Sequence, residues 1–152
     1  MRLSTLAAAL LALPSLAAAD LTVGAGATVN LGTGTLDLGC RSLSAAGTFG
    51  AGGGTLDQAL DVTIPLGGTL NGETGTLNVG GNWDNGGTFN AGSGSVNFVD
   101  DCSQTLATIS GDSTFSTLNL DTTSGKTYEL ESGSTQTVLI FRVLAANGTG
   151  PT

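Results

Sequence analysis

The chain has 152 residues, enough for one modest domain, with 25 glycines, no histidine and a formal net charge of −8. Only Arg2, Arg41, Lys126 and Arg142 are basic. That excludes the clustered Lys and Arg that neutralise nucleic-acid phosphates or dock on anionic lipid, so no nucleic acid is expected as a partner. Without histidine, neither a Ser/His/Asp nor a Cys/His constellation can be assembled. A chain of Gly and Ser without apolar residues would be a flexible linker. Here apolar residues make up 39% and recur regularly, so an all-β fold is expected.

Residues 1–19 carry Arg2, an apolar run from Leu6 to Leu13, a helix-breaking Pro14 and an Ala17-Ala18-Ala19 end. This is the layout of a secretory signal peptide cleaved before Asp20. The apolar run is too short to span a bilayer, and no other stretch is long enough, so no membrane span is expected after cleavage. The mature chain would hold three basic residues against twelve acidic ones, a net charge of −9. The expected location is extracellular or at the cell surface, with the periplasm as the alternative.

From Ala27 onward one phrase recurs, Gly-Thr-apolar-Asn/Asp. It starts at Ala27, Gly34, Gly47, Gly54, Gly68, Gly75, Gly87 and Gly94. Alternate starts form two series, and both advance by 20, 21 and 19 residues. A period of that size marks a solenoid. Thr28, Thr48, Thr69 and Thr88 form one polar column, and Thr35, Thr55, Thr76 and Ser95 another. The next position is apolar: Val29, Phe49, Leu70 and Phe89, then Leu36, Leu56, Leu77 and Val96. The next again is mostly Asn or Asp: Asn30, Asn71 and Asn90, then Asp37, Asp57, Asn78 and Asn97. Polar-apolar-polar alternation means strand, with the apolar column inward and the Thr and Asn/Asp columns outward. The glycine opening each phrase is expected to form a corner at positive φ. The longer interval supplies a third, less regular side through Leu43, Val62 with Ile64, Trp83, and Leu106 with Ile109.

The expectation is therefore a single-stack β-solenoid, or β-helix, of about five coils with a repeat of about 20 residues, over residues 20–140. Coil four is some six residues longer than the rest, a STFS echo opens at Ser113, and KTYEL at Lys126 opens a further coil. Beyond Val138 the alternation ends, and residues 141–152 read as an irregular tail. The apolar stretch there is either a last buried strand or an exposed edge.

Together, the signal peptide, "LDLGCRSLSAAGTF", "GGNWDNGGTFNAGSGSVNF" and "CSQTLATISGDSTFSTLNL…GSTQTV" give a chain that resembles the Gly-rich β-solenoid repeats of exported Gram-negative surface proteins. These include autotransporter-passenger and haemagglutinin-like repeats, and proteins with an IPTL-type sorting signal. The resemblance runs from about Leu36 to Val138, and no sorting signal or C-terminal anchor of that class is expected here. It implies an exported structural or adhesive surface module without catalytic activity or cofactor, whose partner is a glycan or another cell-surface protein.

Two alternatives come from other classes. A binding module would use outward side chains for glycan, or less readily ice: Thr69, Thr76, Thr88, Asn71, Asn78, Asn90 and Asn97, with Trp83 as a stacking platform. A bland role for Trp83 is packing on the third side. A carboxylate-dependent polysaccharide-active β-helix would use Asp37 with Asp57, or Asp100 with Asp101. The simpler account of Asp37 and Asp57 is a stacked Asn/Asp ladder, and the nonapeptide run of calcium-binding β-helices is absent. An NGT glycosylation triplet at Asn147 is uninformative in an exported chain of this kind.

Cys40 and Cys102 are expected to pair if the chain is exported. They lie three coils apart, about 14 Å along a regular stack, where no disulfide can form. The expected solution is that the extra residues of coil four fold back along the third side, past Trp83, to reach Cys40. Two unpaired thiols or an intermolecular bridge are the competing outcomes.

Overall fold

A computed structural model describes residues 19–145, so the leader up to Ala18, the Asn147 triplet and the rest of the tail from residue 146 lie outside it. All of its regular structure is β-strand, and the ladders are parallel. Three faces wind into one β-solenoid. The first face holds the short strands β2 (Thr28–Asn30), β4 (Thr48–Gly50), β6 (Thr69–Asn71) and β9 (Thr88–Asn90). The second and third faces join in one bent sheet, because β3 (Thr35–Ala45) and β5 (Thr55–Ile64) turn the corner without a break. To it belong β1 (Leu21–Val23), β7 (Thr76–Val79), β8 (Trp83–Asn85), β10 (Ser95–Phe98) and β11 (Leu106–Ser110). β12 (Ser113–Thr122), β13 (Thr127–Leu130) and β14 (Gln136–Ala145) complete it.

The register follows the columns read from the sequence. On the second face Thr35, Thr55, Thr76, Ser95, Thr117 and Ile140 pair in turn, at steps of 20, 21, 19, 22 and 23 residues. On the third face the chain of partners is Leu21, Leu43, Val62, Trp83, Ile109 and Leu130. That makes six coils rather than about five. β1 opens a first coil that the phrase count missed, and β13 with β14 makes a sixth. Strand β14 also runs to Ala145, so residues 141–145 are strand and not irregular tail.

The apolar columns point inward as expected. Phe49, Leu56, Leu70, Leu77, Val96, Trp83, Ile109 and Phe115 are buried in one continuous core. Among the described residues no further coil covers the last rung, and Leu130, Leu139, Ile140, Phe141, Val143 and Leu144 are exposed there. The C-terminal apolar stretch is therefore an exposed edge. Leu66, in a turn, is exposed as well, and so is Leu106, which the sequence placed on the inward third side; at that position of β11 only Ala107 and Ile109 turn inward.

The corner glycines work differently from the expectation. Those that open the phrases do not have positive φ; they are small because the coils touch there. A Cβ on Gly87 would lie 2.4 Å from Pro65 O and 2.6 Å from Gly68 O. Before the second-face phrases positive φ falls two residues ahead, at Gly32, Gly52 and Gly92, and at Glu73 (φ 51°), the one member of that column with a side chain; before the first-face phrases at Ala27 and Gly68 it falls one residue ahead, at Gly26 and Gly67. A parallel solenoid needs a left-handed residue to turn the chain and a Cβ-free residue to let coils stack, and these are separate positions.

Candidate functional site

The outward Thr and Asn residues singled out in the sequence separate onto two faces. Thr69 and Asn71 stand beside Thr88 and Asn90 on the first face, whereas Thr76, Asn78 and Asn97 lie on the second. On the second face the polar column is a bonded ladder. Asn78 Nδ2 donates to Asp57 Oδ1 (2.8 Å), Asn97 Nδ2 to Asn78 Oδ1 (2.8 Å), and Asn119 Nδ2 to Asn97 Oδ1 (2.6 Å). On the first face only Asn90 Nδ2 to Asn71 Oδ1 (2.9 Å) repeats this, because Gly50 interrupts the column. The amides are largely spent on one another, as coils about 4.8 Å apart allow.

Several carboxylates each accept at least one such bond. Asp37 accepts from Gly39 N, Asp61 from Asn82 N, Asp20 from Ser42 N, Asp112 from Thr135 N and Glu131 from Gly111 N. Each ties a corner or joins adjacent coils. Asp37 and Asp57 are register partners, but one holds its own turn and the other ends the Asn ladder. Asp100 and Asp101 lie outside that column, in the loop that carries Cys102, and the Asp101 backbone O is 3.7 Å from Cys40 Sγ. Asp121 is held below the usual carboxylate range, chiefly by the Thr123 hydroxyl and backbone N–H that donate to it. Among the described residues no group of three or more His, Cys, Asp or Glu is placed to hold a metal ion, and no helix is long and apolar enough to cross a membrane.

Trp83 is fully buried, so it offers no stacking face to a ligand. Its Nε1 donates to Ser113 Oγ (3.1 Å), and its ring meets Phe89 edge-on with centroids 4.8 Å apart. The third-side position that made it a candidate is an inward position, and a single tryptophan in the core outweighs its polar N–H once that has a partner.

Cys40 and Cys102 form a disulfide, with Cα atoms 5.5 Å apart. The route differs from the expected one: residues 99–105 do not run down the third side past Trp83. They lean back over the corner between the second and third faces. Cys102 packs on Gly80, where an added Cβ would lie 2.6 Å from its own, and its Sγ lies 3.9 Å from Gln58 O. Gly39 (φ 54°) and Cys40 (φ 61°) turn the first-coil corner out to meet it.

Sequence reasoning missed Lys126, which is only 3% exposed. Its ammonium donates to Gly80 O and to Val99 O (2.8 Å), and it sits 5.6 Å above the Tyr128 ring. It pins the sixth coil to the base of the disulfide loop. Burial pulls its pKa down, opposed by Asp100 and Asp121. A lone lysine in a turn gives no sequence signal for such a role.

No protein-family model matches the chain, nor does any curated protein or any solved structure.

Proposed function

We propose that this chain is an exported, rigid β-solenoid module that serves structure or adhesion at the cell surface and carries no catalysis. The carrying observation is how its polar side chains are used. The Asp57–Asn78–Asn97–Asn119 ladder and the carboxylates that tie corners place hydrogen bonds at corners and between coils, as a rod requires. The Cys40–Cys102 bond fits an oxidising compartment, and the residues 1–19 fit a secretory leader. The resemblance to Gly-rich repeats of exported Gram-negative surface proteins agrees with the solenoid.

Producing the full chain in a Gram-negative host, then fractionating the cells and sequencing the mature N-terminus, tests export. The expected product begins at Asp20, lies outside the cytoplasm and confers attachment on cells that display it. An uncleaved cytoplasmic product would overturn the export reading. Turnover of an acidic polysaccharide that disappears in Asp57→Ala would overturn the non-catalytic one.

A further inference from the structure

We propose that the break in the first face between coils four and five is a binding site for one neutral, sugar-sized polyhydroxylated molecule. The break is a matter of pairing. Strand β9 bonds to β6 through Thr88 N to Gly68 O and Asn90 O from Gly72 N. Alternation along a parallel strand turns the Phe89 N–H and C=O to the opposite edge. In coil three the equivalent edge is taken up by β9, but β12 does not pair with β9, and the first-face sheet ends there. The Asn85 side chain is wedged at that corner instead, donating to Asp112 O (2.7 Å) and Ser113 Oγ (3.2 Å).

The result is an open groove of about 410 Å³, most of whose lining side chains are exposed. Asn85, which lines it, is 7% exposed; its Oδ1 has no hydrogen-bond partner and is itself covered, so a ligand hydroxyl meets it only when the amide turns toward the opening. A buried amide oxygen of this kind calls for a donor. Threonines 88, 114, 135 and 137 surround the opening, and Asp112 uses Oδ1 on Thr135 N, leaving its second oxygen for another donor. Half-buried Phe89 supplies an apolar patch backed by Trp83 and Phe115.

These features select the occupant. Closely spaced donors and acceptors beside an aromatic ring suit the hydroxyls and the C–H face of a sugar ring. A single carboxylate with no Lys or Arg in the lining disfavours an anion. An extended peptide does not fit, because Cα atoms of β9 and β12 approach within 8 Å, and an inserted strand needs ~4.8 Å on each side. The site is separate from the Asn ladder and does not depend on export or adhesion.

The test uses the fluorescence of Trp83, the only tryptophan, which is bonded to Ser113 at the groove wall. The full chain is titrated with the methyl glycosides of a neutral hexose and of an N-acetylhexosamine, with inorganic phosphate as the anionic control. A saturable change with at least one glycoside and none with phosphate is expected. The Thr114→Val/Thr137→Val double variant, altered only at exposed rim positions, should bind at least tenfold more weakly with an unchanged unfolding midpoint. Asn85→Leu should also abolish the response, but it removes bonds to Asp112 and Ser113 as well, so the rim variant carries the decision. No saturable response to either glycoside, or an equal response in the rim variant, overturns the site.

Discussion

Cutting the Cys40–Cys102 bond should cost most of the stability that the clasp supplies through the unfolded chain. The bond joins residues 62 apart in sequence. For a closed loop of that length, the chain-entropy relation gives about 4 kcal/mol at 25 °C. The folded state has little reason to change on reduction. Coils one to five remain joined by parallel pairing at every rung of the second face, and the Cys102 side chain rests on Gly80 and Gln58 rather than inside the core. The effect should thus appear as a lower midpoint together with a larger denaturant dependence, since the unclasped unfolded chain exposes more surface. Urea unfolding followed by Trp83 fluorescence, for the native chain and for Cys40→Ser/Cys102→Ser, reads both quantities. A loss of ~3–4 kcal/mol is expected. Equal midpoints would refute the reasoning, because they would mean that the clasp does not restrict the unfolded ensemble. Alkylation without reductant checks the premise: neither cysteine should react even when unfolded.

Gly87→Ala should destabilise by ~1–3 kcal/mol, nearly as much as Gly87→Val, because the added Cβ meets Pro65 O and Gly68 O whatever follows it; a mild alanine variant in thermal melts would restore a torsional origin. Glu73→Gly should stabilise by ~0.5–1 kcal/mol, since it relieves a left-handed side chain at a position where Gly32, Gly52 and Gly92 stand in neighbouring coils; a lower urea midpoint would count against this. Tyr128 is pushed up to about 12, by burial first and then by the Asp121 and Asp100 carboxylates. The fold then keeps a proton that the unfolded chain loses above about pH 10, so stability falls as pH rises from ~10 to ~12. The ceiling is ~2.7 kcal/mol, and solvent screening of this half-exposed group lowers the expected loss to ~1 kcal/mol. Tyrosinate absorbance of this single tyrosine, followed beside the melts, should show ionisation coinciding with the loss; ionisation in the native state near pH 10 would contradict it.

Local alternation and a repeat near 20 residues determined the solenoid, its register and its inward columns, because stacked identical coils turn a one-dimensional period directly into neighbours in space. Thr55 over Thr76 and Leu56 over Leu77 follow from position alone. The same logic correctly read Asp57, Asn78 and Asn97 as a ladder. What breaks the period could not be read that way. The six extra residues of coil four are visible in the sequence, but their path over Gly80 to Cys40 depends on which corner leaves room for Cys102. Glycine likewise names two needs with one letter, and only the coil-to-coil distances separate Gly87, which avoids a clash, from Gly92, which turns the chain. Buried Lys126, the Asn85 wedge and the unpaired edge of β9 arise where the repeat is interrupted, and there each residue's role is set by neighbours about twenty positions or more away in the chain.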